Sequence, residues 1–221
     1  MKNIPLVVAT LIILSLAAGG ASVTSGSATA AEWQQRTRLE FTGPLQEHLD
    51  IRMMNELRSG SGFSTHKESH FDVGLEWTFR KWLGVAPCYR NVVVRKGPVW
   101  IVEHRPHFNL TLKWSMLGMR FSDRSRLEYR IIESAHSTRY RNRIMLSLRP
   151  VSIPRLSPHL STEPYYDFDA GKINKNRLIA GFDLRIAGPA SLKLEYVLDS
   201  VKLADRWHEV NSLLIAFKYK P

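Results

Sequence analysis

LGMRFSDRSRLEYRIIESAHSTRYRNRIMLSLR, residues 117–149, carries the pattern from which the fold can be read. On its first arm Arg124, Arg126, Glu128 and Arg130 alternate with Ser125, Leu127, Tyr129 and Ile131. Successive side chains of an extended strand point to opposite faces, so one face is charged and the other mostly apolar. A polar turn over 134–138 then leads to a second arm, where Arg139, Arg141 and Arg143 share a face with Ser147 and Arg149, against Tyr140, Ile144, Leu146 and Leu148. The stretch predicts a long hairpin with a basic side and an apolar side. Alternation of this kind suits a sheet packed on a protein core and a sheet facing lipid equally well.

Working outward, the same period of two recurs along the chain. Trp33 to Phe41 sets Gln34, Arg36, Arg38 and Glu40 against Trp33, Thr37, Leu39 and Phe41, and Thr42-Gly43-Pro44 reads as its turn. Phe71, Val73, Leu75, Trp77 and Phe79 make the most regular apolar face, with Asp72, Glu76, Thr78 and Arg80 behind it. From Trp100 to Trp114 the polar face is Glu103, Arg105, His107, Asn109, Thr111 and Lys113, interrupted by Pro106, which a strand tolerates at a bulge or where its missing amide is not needed. Near the end, Leu192, Leu194, Tyr196 and Leu198, then Leu213, Ile215, Phe217 and Tyr219, continue the pattern. The count is about eleven strands, mostly near the roughly 9–11 residues that cross a bilayer at a tilt, and no helical period competes with them.

The N-terminus indicates the compartment. Lys2 precedes a short apolar run, Ile4 to Leu14, and a small-residue region that ends in Ala28-Thr29-Ala30. This predicts a cleaved secretory signal peptide over residues 1–30 and a barrel domain over 31–221, with Gly19-Gly20-Ala21 as an alternative cleavage site, so that the cut lies between Ala21 and Ala31. No Cys stands at that boundary, which argues against a lipid anchor, and Cys88 is the sole cysteine, so no intrachain disulfide forms. The formal net charge of +11 would ordinarily point to nucleic acid, but export argues against that partner and assigns the charge to lipopolysaccharide, acidic solutes or solubility.

Three features favour lipid over a soluble core. Connections near Gly43, Lys81, Ser115 and Gly188 read as tight, and those near Gly60, Gly97, His136, Asn174 and Asp205 as longer and polar, the sorting expected of periplasmic turns and outer loops. Trp82 and Trp114 fall beside short connections, and Trp100 and Trp207 beside long ones, as two interfacial girdles require. The chain also closes on a strand whose apolar face ends in Phe217 and Tyr219. The expected fold is therefore all-β, an antiparallel up-and-down transmembrane β-barrel in the bacterial outer membrane. Because bacterial barrels have even strand numbers, about 12 strands (10–12) are expected, the twelfth drawn from residues 22–32 or hidden by a miscounted turn.

Trp33, Arg126-Leu127-Glu128-Tyr129-Arg130, Tyr140-Arg141-Asn142-Arg143, Glu163-Pro164-Tyr165-Tyr166, Asn176-Arg177-Leu178-Ile179-Ala180-Gly181 and Leu194-Glu195-Tyr196 together resemble the exported bacterial barrels grouped as domain of unknown function 2490. The resemblance covers essentially the whole mature chain; it implies an outer-membrane barrel and no particular chemistry. The arginine pattern alone is also similar to that of acidic-oligosaccharide porins related to the oligogalacturonate channel.

Function follows from what fills the lumen. Arg124, Arg126, Arg130, Arg139, Arg141 and Arg143 form a candidate basic track for carboxylate-bearing solutes, since guanidinium binds such groups bidentately. The plainer alternative, which we favour, pairs them with lumen acids such as Glu128 and Glu163 to fill and rigidify a narrow barrel. The primary reading is passive transport of small anionic solutes or a role in envelope structure. The alternatives are an outer-membrane enzyme acting on lipid or lipopolysaccharide, for which His136-Ser137 is a candidate base and nucleophile, and a soluble periplasmic barrel with an apolar ligand. His66 and His70 have ligand-like spacing but read as a solvated loop. No catalytic residue, cofactor or metal site is expected. The expected partners are membrane lipid, lipopolysaccharide and the barrel assembly machinery, with the protein itself a monomer.

Overall fold

The computed structural model describes residues 32–60, 65–148, 155–204 and 206–221. Residues 1–31, which include the segment expected to be a signal peptide and its expected cleavage sites, lie outside the described residues. The barrel unit, Glu32–Pro221, contains eleven strands. These are β1 (Glu32–Gln46), β2 (Leu49–Gly60), β3 (His66–Arg80), β4 (Leu83–Lys96), β5 (Val99–Met116) and β6 (Met119–Ile132). They continue as β7 (Ala135–Ser147), β8 (Leu156–Asp167), β9 (Lys172–Ala187), β10 (Ala190–Leu203) and β11 (Arg206–Tyr219). Each pairs antiparallel with its sequence neighbours, and the sheet closes.

Closure gives eleven strands among the described residues, within the expected 10–12 and equal to the count read from the alternation. β1 pairs directly with β11 in parallel, from Glu32 opposite Val210 to Phe41 opposite Tyr219, which leaves no place for a strand between them. An odd number of alternating strands makes the first and last run the same way, so a parallel seam is the geometric consequence. Residues 22–31, the proposed source of a twelfth strand, are outside the described residues.

The strands are also longer than the sequence pattern suggests, from 12 residues in β2 to 18 in β5. Polar segments that read as loops are strand extensions beyond the apolar band, and several turns shift accordingly. β1 continues through Thr42-Gly43-Pro44, with a register shift between Pro44 and Gln46, and reverses at Glu47-His48. The central hairpin turns at Glu133-Ser134, and the pair Ala135 and Ile132 already belongs to the ladder. The connection at 97–98, which reads as long and polar in the sequence, is a two-residue turn, and Arg206 is already paired with Leu203 at the start of β11. In the tight turns Gly97-Pro98 and Gly188-Pro189, glycine supplies the positive φ, 62° and 50°, that a two-residue hairpin needs at its first position. Pro106 sits where the β5–β6 ladder omits Arg105 and Pro106 without losing register.

Facing is unambiguous. Arg126 is 2% exposed while its neighbour Leu127 is 50% exposed, and the same contrast runs around the wall. Phe71, Leu75, Trp77 and Phe79 point outward, whereas His70 and Asp72 of the same strand are buried inside. A soluble barrel would have the opposite sense, because exposing this much contiguous apolar surface to water is unfavourable. The outer wall is therefore a lipid-facing surface and the barrel a transmembrane one, the arrangement that satisfies backbone amides in hydrocarbon without a free edge. Trp82 and Trp114 lie toward the rim that carries the C-terminus, Trp114 stacked on Phe121 at 5.5 Å. Trp100 and Trp207 lie toward the opposite rim, where the His66 ring packs on Trp100 at 5.4 Å.

Leu213, halfway along β11, tests this facing. Leu213→Arg is expected to lower stability in lipid vesicles by about 2–4 kcal/mol, read as a fall in the denaturant midpoint of unfolding. An arginine at a water-exposed position would leave that midpoint unchanged.

Candidate functional site

The lumen is built by the inward positions of every strand, and it is filled with charge. Alternation alone delivers Arg36 and Arg38 from β1, Glu56 and Arg58 from β2, Arg126 and Glu128 from β6, and Arg139 and Arg141 from β7. Glu163 and Tyr165 of β8, Arg177 of β9, and Glu195 and Asp199 of β10 complete the ring. Removing so many ions from water is tolerable only when each is paired and hydrogen-bonded.

Two carboxylates organise one side. Glu128 accepts from Arg139 at 2.6 Å and from Arg141 at 2.6 Å, with Arg126 at 3.3 Å. Glu163 accepts from Arg124 at 2.7 Å, from Arg141 at 2.8 Å and from the Tyr165 hydroxyl at 3.0 Å. Arg141 thus bridges both acids. Arg130 and Arg105 each hold Glu103, both with Nε contacts of 2.5 Å, and Arg143 donates to Ser161 at 3.2 Å with Glu195 4.0 Å away. On the other side Asp199 receives Arg177 at 2.6 Å and Arg36 at 2.7 Å, and Glu56 pairs with Arg38 and with Arg58 at 2.6 Å.

Above this lattice, at the rim opposite the C-terminus, lies a vestibule of about 260 Å³. Its lining contains nine Lys or Arg side chains, Arg58, Arg90, Lys96, Arg105, Arg130, Arg139, Arg141, Lys175 and Arg177, against two carboxylates, Glu68 and Glu103. Tyr165 forms part of the lining, and its ring is surrounded by cations: Arg141 at 4.3 Å, Arg139 at 5.1 Å, Lys175 at 5.4 Å and Arg177 at 5.7 Å. The aromatic face and the shared acids hold these cations in a fan without neutralising them one for one.

This geometry frames the comparisons. The family described as protein of unknown function (DUF2490) matches residues 32–210, from the first strand into the last. The chain belongs to that family. No curated protein matches it in sequence. Among solved structures, the NanC porin shares the fold at a TM-score of 0.53 and 12% identity, over 85% of this chain and 97% of that one. LpxR from Salmonella typhimurium gives a TM-score of 0.45 at 10% identity, over 78% of this chain and 83% of that one.

Within this DUF2490 barrel, the six arginines singled out from the sequence all face the interior, but they do not make a free track. Arg126 is buried in ion pairs below the vestibule, and among the six only Arg130, Arg139 and Arg141 line it, Arg141 itself tied to Glu128 and Glu163. His136 and Ser137 are not assembled into a catalytic pair. The His136 ring stacks on outward-facing Tyr129 at 5.8 Å, and Ser137 lies opposite inward-facing Arg130, so adjacent strand residues point to opposite faces. His66 and His70 are on β3, not in a loop. A register shift between β2 and β3 separates their faces: His66 packs on Trp100 outside, and His70 is buried against Glu68 at 2.9 Å inside.

Several participants were missed from the sequence. Asp199 and Tyr165 sit in alternating segments and could be placed inward, but their partners come from strands distant in the chain. Asp72, Cys88 and His107 on β3, β4 and β5 bring one ligand atom each within 4.8 Å of one another, a grouping that spacing along the chain does not reveal.

Removing one member of the lattice should expose its cost. Glu128→Ala removes the carboxylate shared by Arg126, Arg139 and Arg141 and is expected to destabilise the folded barrel by about 3–5 kcal/mol in urea titrations. Asp50→Asn, which breaks only the exposed pair with Lys220, should change it by less than about 1 kcal/mol.

Proposed function

We propose that this protein is an exported barrel of the bacterial outer membrane that receives small anionic solutes in its basic vestibule and passes them slowly through a lumen narrowed by ion pairs. The observation that carries this reading is the cationic excess around Tyr165, where nine cationic side chains meet two carboxylates in the lining. A carboxylate or phosphate entering there exchanges water for guanidinium donors already held in place, which lowers the cost of ordering them. The porin-like fold supports a transport role.

The ion-pair lattice sets the rate. Arg36, Glu56, Arg126, Glu128 and Glu163 are all below 2% or at 2% exposure, so water does not reach them, and a solute crosses only as pairs exchange partners. An incoming carboxylate can substitute for Glu128 or Glu163 on the shared Arg141 without leaving a charge bare. The same observation favours a second reading, in which the filled lumen makes the barrel a rigid envelope component that binds anions at its rim without passing them.

Planar-bilayer recordings separate the two. The transport reading predicts a small conductance selective for anions, with Arg139→Gln and Arg177→Gln together reducing that selectivity. A folded, heat-modifiable barrel that inserts but conducts nothing would leave the envelope role in its place.

A further inference from the structure

Below the vestibule, three adjacent strands place an oxygen, a sulfur and a nitrogen donor around one point inside the wall. Asp72 of β3, Cys88 of β4 and His107 of β5 are 1%, 9% and 6% exposed. Two of their polar atoms, Asp72 Oδ1 and His107 Nε2, are buried without any hydrogen-bond partner. Such orphans are costly; six other buried side-chain atoms among the described residues share that condition, but these two belong to a cluster that adds a third donor, Cys88 Sγ, within 4.8 Å.

The tautomer sharpens the problem. His107 Nδ1 lies 3.2 Å from the Arg105 carbonyl oxygen, which only accepts, so Nδ1 carries the proton and donates. In the neutral ring Nε2 then presents a lone pair, and it faces the Asp72 carboxylate at 3.6 Å, another acceptor. The oxygen at that distance is Oδ2, which already accepts from Arg90, so the lone pairs left without a donor are those of Nε2 and Oδ1, and a cation shared between them would satisfy both. A ring nitrogen that donates to a backbone carbonyl while its partner nitrogen points into a polar cluster is also the usual outer-shell arrangement of a metal-bound histidine.

The surroundings fit an ion. Arg90 donates to Asp72 Oδ2 at 2.7 Å and thereby aims Oδ1 inward. Asn109 Nδ2 donates to Cys88 Sγ at 3.4 Å and holds the sulfur on the lumen side of β4. Cys88 has no strong acceptor, its nearest being the Ala86 carbonyl at 3.6 Å, so its sulfur is free to rotate onto an ion. Gly74, paired across from Cys88, leaves the space the sulfur occupies; a Cβ there would collide with Sγ. Carboxylate and thiolate together balance a divalent charge among the nearby guanidinium groups.

We propose that Asp72, Cys88 and His107 bind a zinc-class transition-metal ion that clasps β3, β4 and β5 together inside the lumen. The mixed sulfur, nitrogen and oxygen donors select such an ion over calcium or magnesium, which take oxygen ligands. Three protein ligands leave a coordination position open on the lumen side.

The test uses the full barrel, stripped with chelator and then loaded either as folded protein in detergent or during refolding with Zn²⁺ or Co²⁺. A single retained ion per chain, a thiolate-to-cobalt charge-transfer band in the near ultraviolet and a raised thermal transition with Zn²⁺ are expected. Cys88→Ser should abolish the band, and His107→Gln should weaken retention by at least about tenfold, with folding of each variant verified by heat-modifiable migration. If Cys88→Ser does not fold, His107→Gln and Asp72→Asn carry the comparison. No ion retained by either loading route, or retention unchanged in folded variants, would overturn the assignment.

Discussion

Guanidinium–carboxylate pairing inside a closed wall is the constraint on which the molecule rests. A barrel of eleven strands has little interior volume, and here that volume holds long charged side chains instead of an apolar core. Each acid is shared: Glu128 among Arg126, Arg139 and Arg141, Glu163 between Arg124 and Arg141, Asp199 between Arg36 and Arg177. Sharing couples the strands in ways the backbone ladder does not. The Arg36 to Asp199 bond joins β1 to β10 past the intervening β11, and Arg124 reaches Glu163 past β7. The pairing forces the apolar residues outward, and the outward face is what makes the wall compatible with lipid.

The parallel β1–β11 seam has a related logic. Along β9, β10 and β11 the lumen carries a small apolar cluster, Ile179, Val197, Leu214 and Ala216, where side chains are compact and uncharged. These residues occupy the stretch beside the seam without needing partners. The lumen therefore combines a charged lattice that sets what can enter with a small apolar patch on strands that also carry Arg177, Glu195 and Asp199. The vestibule opens over the charged side and collects an excess of cations because its acids lie deeper, in the lattice.

Much of the wall was legible in the sequence because a strand's side-chain period is invariant. Leu127, Leu75 and Leu213 could be assigned outward, and Arg126 and Glu128 inward, from alternation alone. Turn positions were less legible. The residues 134–138 and 170–176 are polar because the hairpins project beyond the apolar band, and polarity does not distinguish a projecting strand from a loop. The strand count of eleven was legible from the alternation, and the parallel seam accounts for an odd number where an even-number rule leans toward twelve. Least legible were contacts set by register: Gly74 beside Cys88, His107 near Asp72, and the cations gathered on Tyr165 come together only once the strands are aligned.

Spin labels placed singly along β11, in a barrel whose Cys88 has been replaced by alanine, measure the central claim most directly. Reconstituted in lipid, labels at 213, 215 and 217 should be relaxed strongly by oxygen dissolved in the bilayer, and labels at 212, 214 and 216 weakly by oxygen and by a water-soluble nickel complex alike. The reverse alternation, with the even positions in contact with lipid, would contradict an ion-paired lumen inside an apolar wall.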